Sequence, residues 1–224
     1  MTRRIPFIAL VAALLVTAVA TPAWAQPPAP SQPTPSRSLR IGGYAMVGQF
    51  TFAASQSFTA VFGTDSGTIA GGGVTVGLPF GLFVDVGAWQ FTRSGERVLV
   101  LDSQVIPLGI PLELTIVPIE MSAGWQFRMR RVPRLRPYAA VGYSSFGYRE
   151  TSSFSASGED VDERFGGYHL RGGAEFKFAR WLGVAGEVAW TQVLDAIGTG
   201  GVSAAFREND LGGTSFRARF TVGQ

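Results

Sequence analysis

The chain has no cysteine, one histidine (His169), one lysine among its 19 basic residues, and few charged side chains for its 224 residues. Without cysteine there is no disulfide scaffold, thiolate metal site, cysteine nucleophile or lipidated N-terminal cysteine. The charged fraction is 16%, against about a quarter in ordinary soluble domains. The apolar and aromatic content is still too high for a disordered chain, and the length allows one or two domains. Beyond the first 25 residues no continuous apolar run reaches helical-span length, so helical membrane spans are not expected there.

The positive balance is mostly an N-terminal matter. Met1-Thr2-Arg3-Arg4 opens a charged start, residues 5–20 are apolar helix formers, and Thr21-Pro22-Ala23-Trp24-Ala25 places small residues for cleavage before Gln26. That pattern predicts a secretory signal peptide over 1–25 rather than a membrane anchor, because the run is short and ends at Pro22. Removing Arg3 and Arg4 from the 19 basic residues leaves 17 against 16 acidic ones, so the high pI gives no reason to expect a nucleic-acid partner. Residues 26–36 hold five prolines in eleven positions. They read as an extended tail and spacer that cannot pack a core.

The remainder, 37–224, carries a two-residue period. In 115–128, Val117, Ile119, Met121, Ala123, Trp125 and Phe127 oppose Glu120, Ser122, Gly124, Gln126 and Arg128. The same alternation sets Tyr168, Leu170, Ala174, Phe176 and Phe178 against His169, Arg171, Gly173, Glu175 and Lys177. It sets Leu182, Val184, Val188 and Trp190 against Ala185, Glu187 and Ala189, and Phe216, Ala218, Phe220 and Val222 against Arg217 and Arg219. Runs at 39–53, 68–78, 82–93 and 137–148 follow it less cleanly, which gives eight strands. Connections 54–67, 94–110, 150–164 and 194–213 are long, and 79–81, 129–136 and 179–181 are short. An up-and-down arrangement therefore gathers the long ones at one end.

Alternation alone leaves open a soluble barrel with apolar side chains inside and a membrane barrel with them outside. Three features favour the second. The polar face is rich in small residues suited to a narrow interior (Gly124, Gly142, Ser144, Gly173, Ala185, Ala189). It also holds both charge signs, which can pair inside. Finally, large aromatics gather where strands meet the short turns, as a membrane-interface girdle would: Phe80, Phe83, Trp125, Phe127, Phe176, Phe178 and Trp181. The expectation is all-β: an eight-stranded antiparallel up-and-down transmembrane β-barrel.

In this architecture the chain resembles the small eight-stranded outer-membrane barrels of the OmpA and OmpX kind, over about 37–224 and without a peptidoglycan-binding domain. Members usually end on an aromatic residue, where this chain has Gln224, although Phe216, Phe220 and Val222 keep the expected parity. The resemblance implies an integral protein of the bacterial outer membrane, with termini and short turns periplasmic and long loops outside. Its partners would be outer-membrane lipids, lipopolysaccharide and the assembly machinery. It implies no cofactor.

An eight-stranded lumen is filled by side chains. The expected filling is a salt-bridged polar plug of Glu120, Gln126, His169, Arg171, Glu175, Lys177, Glu187, Arg217 and Arg219. A structural or surface-interaction role for a monomeric barrel follows, because the loops show no aromatic cage and few convergent charges. The alternative is a narrow conduit or a binder of small or hydrophobic molecules. A lipid A-modifying enzyme is the third reading. The deacylase pattern His-x-Ser fails at Arg171, and a palmitoyltransferase-like set would need Asp102-Ser103 beside His169, which the spacing puts near the outer end of its strand. The acids of Glu159-Asp160-Val161-Asp162-Glu163 lack the spacing of a calcium loop. The arginines from Arg128 to Arg136 form a basic turn, and Gly71-Gly72-Gly73 lies in a strand with no helix to make a phosphate loop.

Overall fold

The computed structural model describes residues 39–101, 104–152 and 161–223. The predicted signal peptide and Pro-rich tail lie outside those residues, as do Asp102, Ser103, Glu159 and Asp160. Eight strands follow in chain order: β1 (Arg40–Phe52), β2 (Ser66–Gly77), β3 (Leu82–Leu101), β4 (Gln104–Gln126), β5 (Leu135–Ser152), β6 (Val161–Lys177), β7 (Leu182–Gln192) and β8 (Gly213–Gly223). Each pairs antiparallel with its chain neighbour, and β8 returns to β1 to close the barrel. Val47 thus pairs with Ala70 on one side and with Ala218 on the other. Every strand is at least 11 residues long, and a tilted membrane strand needs about 9–11.

Side chains of one parity point out and are apolar, among them Val47, Val141, Leu170 and Phe216, each more than half exposed. The other parity is buried in the lumen. Closure removes the sheet edge in the barrel wall, so every wall strand finds hydrogen-bond partners on both sides.

The connections differ from expectation in a physically informative way. Positions 94–110 are largely strand: β3 and β4 continue as a hairpin to Leu101 and Gln104. The run of Val98, Leu99, Val100, Val105 and Ile106 has strong strand propensity. Pro107 and Pro111 are tolerated because the register shifts between Glu96 and Val98, where Gly109 takes a φ of 69°. Within 150–164, β5 runs on to Ser152 and β6 starts at Val161. The other two long connections each fold a short helix, α1 (Ser55–Phe62) and α2 (Gly201–Phe206). Neither is long and apolar enough to cross a membrane.

Candidate functional site

The lumen is stratified along the barrel axis. Its middle is an ionic layer built from five strands. Arg171 (β6) meets Asp85 (β3) at 2.8 Å and Glu187 (β7) at 3.7 Å. Arg219 (β8) bridges the same two acids, at 2.8 Å to Asp85 and 2.9 Å to Glu187. Arg217 (β8) donates two hydrogen bonds to Glu120 (β4), at 2.7 and 2.8 Å. Three guanidinium groups therefore balance three carboxylates, all essentially buried.

Neutral donors engage the same carboxylates. Trp89 Nε1–H donates to Glu120 at 2.7 Å, Tyr138 O–H to Glu187 at 2.9 Å, and Tyr44 and Thr75 hydroxyls to Asp85 at 3.0 and 2.6 Å. The Arg219 guanidinium lies 3.6 Å from the centre of the Tyr44 ring. Buried charges are tolerable only when paired and bonded in this way. Gly87 makes the room, since a Cβ there would overlap the Tyr44 hydroxyl.

His169 sits at mid-strand and mid-lumen rather than near the outer end, because β6 begins at Val161, earlier than the sequence pattern suggests. Its two ring nitrogens bond Ser122 Oγ at 2.8 Å and Ser144 Oγ at 2.6 Å. Gly142 gives the imidazole its space, as a Cβ there would press on its ring. Gln126, Glu175 and Lys177 form a separate group nearer the short turns. Glu175 accepts from Gln126 at 3.0 Å and from Thr221 at 2.6 Å, with Lys177 3.6 Å away. The nine polar residues expected inside thus divide among the ionic layer, the histidine relay and this lower group.

Above the layer, towards the long loops, the lumen is apolar instead of polar. Phe50, Phe52, Ile69, Trp89, Phe91, Leu114, Ile116 and Phe146 form one buried cluster. Phe58 of α1 stacks on Phe52 with ring centroids 3.8 Å apart, so a loop does contribute to an aromatic group. Helix α1 has no cap from its own Ala54. Glu208, after α2, accepts from the backbone N–H of Gln56 and Ser57 at 3.0 and 2.8 Å and from Ser57 Oγ at 2.6 Å. A remote carboxylate thereby satisfies helix N-terminal donors and ties two loops together.

At the other end, Phe80, Trp125, Phe127, Phe176, Phe178 and Trp181 are all exposed on the outer surface. Phe83 departs from the expected girdle: it points inward, is buried, and packs edge-on against Tyr138 at 6.0 Å.

The family model for outer membrane protein beta-barrel domains matches residues 11–222. The chain belongs to this family. As an outer membrane β-barrel protein it is integral to the bacterial outer membrane, and its outward apolar face is the lipid-facing one. Among solved structures it is similar to a major outer membrane protein from Thermus thermophilus, at 12% identity and a TM-score of 0.56, over 84% of this chain and 100% of that one. It is also similar to the Neisserial surface protein A (NspA), at 11% identity and a TM-score of 0.48, over 82% and 96%. The N-terminal β-barrel domain of Pseudomonas aeruginosa OprF aligns at 11% identity and a TM-score of 0.45, over 81% and 96%. At such identities the Thermus protein speaks for the shared fold alone. No curated protein matches the sequence.

Asp85, Tyr44 and Trp89 were not legible as members of the outer membrane barrel's interior. The available signal for Asp85 was a lone acid within the apolar stretch 82–89, on the parity of Phe83 and Trp89.

Proposed function

We propose that this outer membrane barrel is a non-conducting, non-enzymatic surface protein whose loop end makes the contacts. The closed lumen carries this reading: an apolar cluster stands above a neutral, charge-balanced ionic layer. A permeating ion would have to break buried salt bridges and then cross a plug of aromatic rings. The loop end is also structured, with two tied helices and a long β3–β4 hairpin. In this reading the loops face outward, the short turns and termini face the periplasm, and the monomer's neighbours are lipid, lipopolysaccharide and the assembly machinery. Against catalysis, His169 is held by two hydroxyls in a sealed lumen, and Arg171 stands where the deacylase pattern needs serine.

The test is single-channel recording on the refolded, heat-modifiable protein. A folded barrel should stay electrically silent, and steady discrete conductance would overturn the plug. Protease sites introduced into the α2 loop should be cut in intact cells, and protection there would reverse the orientation.

A second reading is supported by a cavity of about 330 Å³ at the loop end, lined by Phe58, Phe62, Leu108, Leu112, Tyr148 and Ile197 among others. Its walls suit an apolar small molecule. Saturable binding of a fluorescent apolar probe, lost in Leu112→Asp, supports this reading, and binding unchanged by that substitution removes it.

A further inference from the structure

The short-turn mouth of the barrel opens into a cavity of about 140 Å³ with an unbalanced lining. Arg40, Arg128, Arg136 and Lys177 reach it from β1, the β4–β5 turn, β5 and β6. Asp85 and Arg219 form its floor but are already matched within the ionic layer. Among the described residues that leaves Glu175 as the acid facing four cations, and it is already engaged by Gln126, Thr221 and Lys177. The Arg136 Nε is buried with no hydrogen-bond partner among the described residues. Glu175 attracts Arg136, while Arg128 and Arg40 lie close enough to repel it. Arg130, Arg131 and Arg134 extend the same sign through the turn outside.

Like charges gathered in a low-dielectric cleft focus a positive potential and draw in an anion. The volume accommodates several waters, at about 30 Å³ of liquid for each, and so one oxyanion with part of its hydration. Guanidinium forks match the oxygens of phosphate in paired, charge-assisted hydrogen bonds. A phosphoryl group, with about one to two negative charges, compensates part of that excess. From these observations we infer that the short-turn mouth is a phosphate-binding site, with Arg136, Arg128, Arg40 and Lys177 as its ligands. The phosphate belongs either to a small soluble ion or ester or to the headgroup of a phospholipid with net negative charge, since the mouth adjoins the aromatic girdle at the membrane surface.

The experiment is calorimetry on the full refolded barrel in zwitterionic detergent. The probes are inorganic phosphate, dihexanoyl phosphatidylglycerol and dihexanoyl phosphatidylcholine. Saturable heat with inorganic phosphate, weakened at least tenfold in both Arg136→Gln and Lys177→Gln, identifies a soluble-phosphate site. Saturation by the phosphatidylglycerol alone, with the same loss in the variants, identifies a headgroup site. Equal response to phosphatidylcholine, no saturable heat with any probe, or binding indifferent to the substitutions overturns the inference. If Arg136→Gln loses heat-modifiable migration, exposed Arg128→Gln replaces it under the same criteria.

Discussion

Asp85→Ala is the sharpest single perturbation of the interior. Asp85 holds two of the three guanidiniums of the ionic layer, Arg171 and Arg219, each at 2.8 Å, and accepts from Tyr44 and Thr75. Its removal changes the layer from three cations and three anions to three and two, among side chains that are all buried. Breaking a buried pair from one side costs about 3–5 kcal/mol, mostly because the partner charge is stranded. That corresponds to a 10²- to 10⁴-fold rise in the unfolding equilibrium constant, at about 1.4 kcal/mol for each decade. The measurement is a urea titration of the refolded barrel followed by tryptophan fluorescence. Asp85→Ala/Arg219→Met restores the balance at two and two. It should therefore be less unstable than the sum of the single variants, by about 1–3 kcal/mol. Strict additivity, or an Asp85→Ala midpoint equal to that of the parent, would refute a charge-balanced layer.

Gly87→Ala should destabilise the barrel by about 1–3 kcal/mol, because its methyl group displaces the Tyr44 hydroxyl from Asp85; the same urea titration reads it. Glu208→Gln should cost the α1 segment about 0.5–2 kcal/mol, seen as faster amide exchange over residues 56–62 while the global midpoint holds. Asp162→Asn removes the partner of Arg149 at 2.7 Å, yet both side chains are about two-thirds exposed, so the midpoint should not move. A clear shift there would show that burial is not what separates strong from weak pairs in this protein.

The strands that could be read directly from sequence are those with one apolar and one polar face, and this explains which parts of the interior were legible. Glu120, Arg171, Glu187, Arg217 and Arg219 stood out because each interrupts an apolar alternation at the right parity. Where the lumen itself is apolar, the contrast vanishes. Leu114 and Ile116 face inward beside outward Val117, so the pattern did not mark the upper plug. The same loss of contrast hid the outer half of the β3–β4 hairpin, where both faces are apolar and two prolines mimic a loop. Asp85 was missed for the opposite reason, as a single polar residue among apolar neighbours. The Glu208 tie to α1 joins residues some 150 positions apart, and no local pattern encodes it.

The distribution of the layer's charges over the strands bears on how the barrel is made. Its acids all precede the closing strand, on β3, β4 and β7, whereas two of its three arginines ride on β8, the last strand of the barrel to be synthesised. Until β8 seats between β7 and β1, Arg171 alone faces Asp85, Glu120 and Glu187. Joining the seam and neutralising the interior are thus one event. A slip of a single residue would turn Arg217 and Arg219 to the lipid and leave the acids unanswered. The interior charge works as a proofreading device for closure, rewarding one register of the final strand and penalising its neighbours.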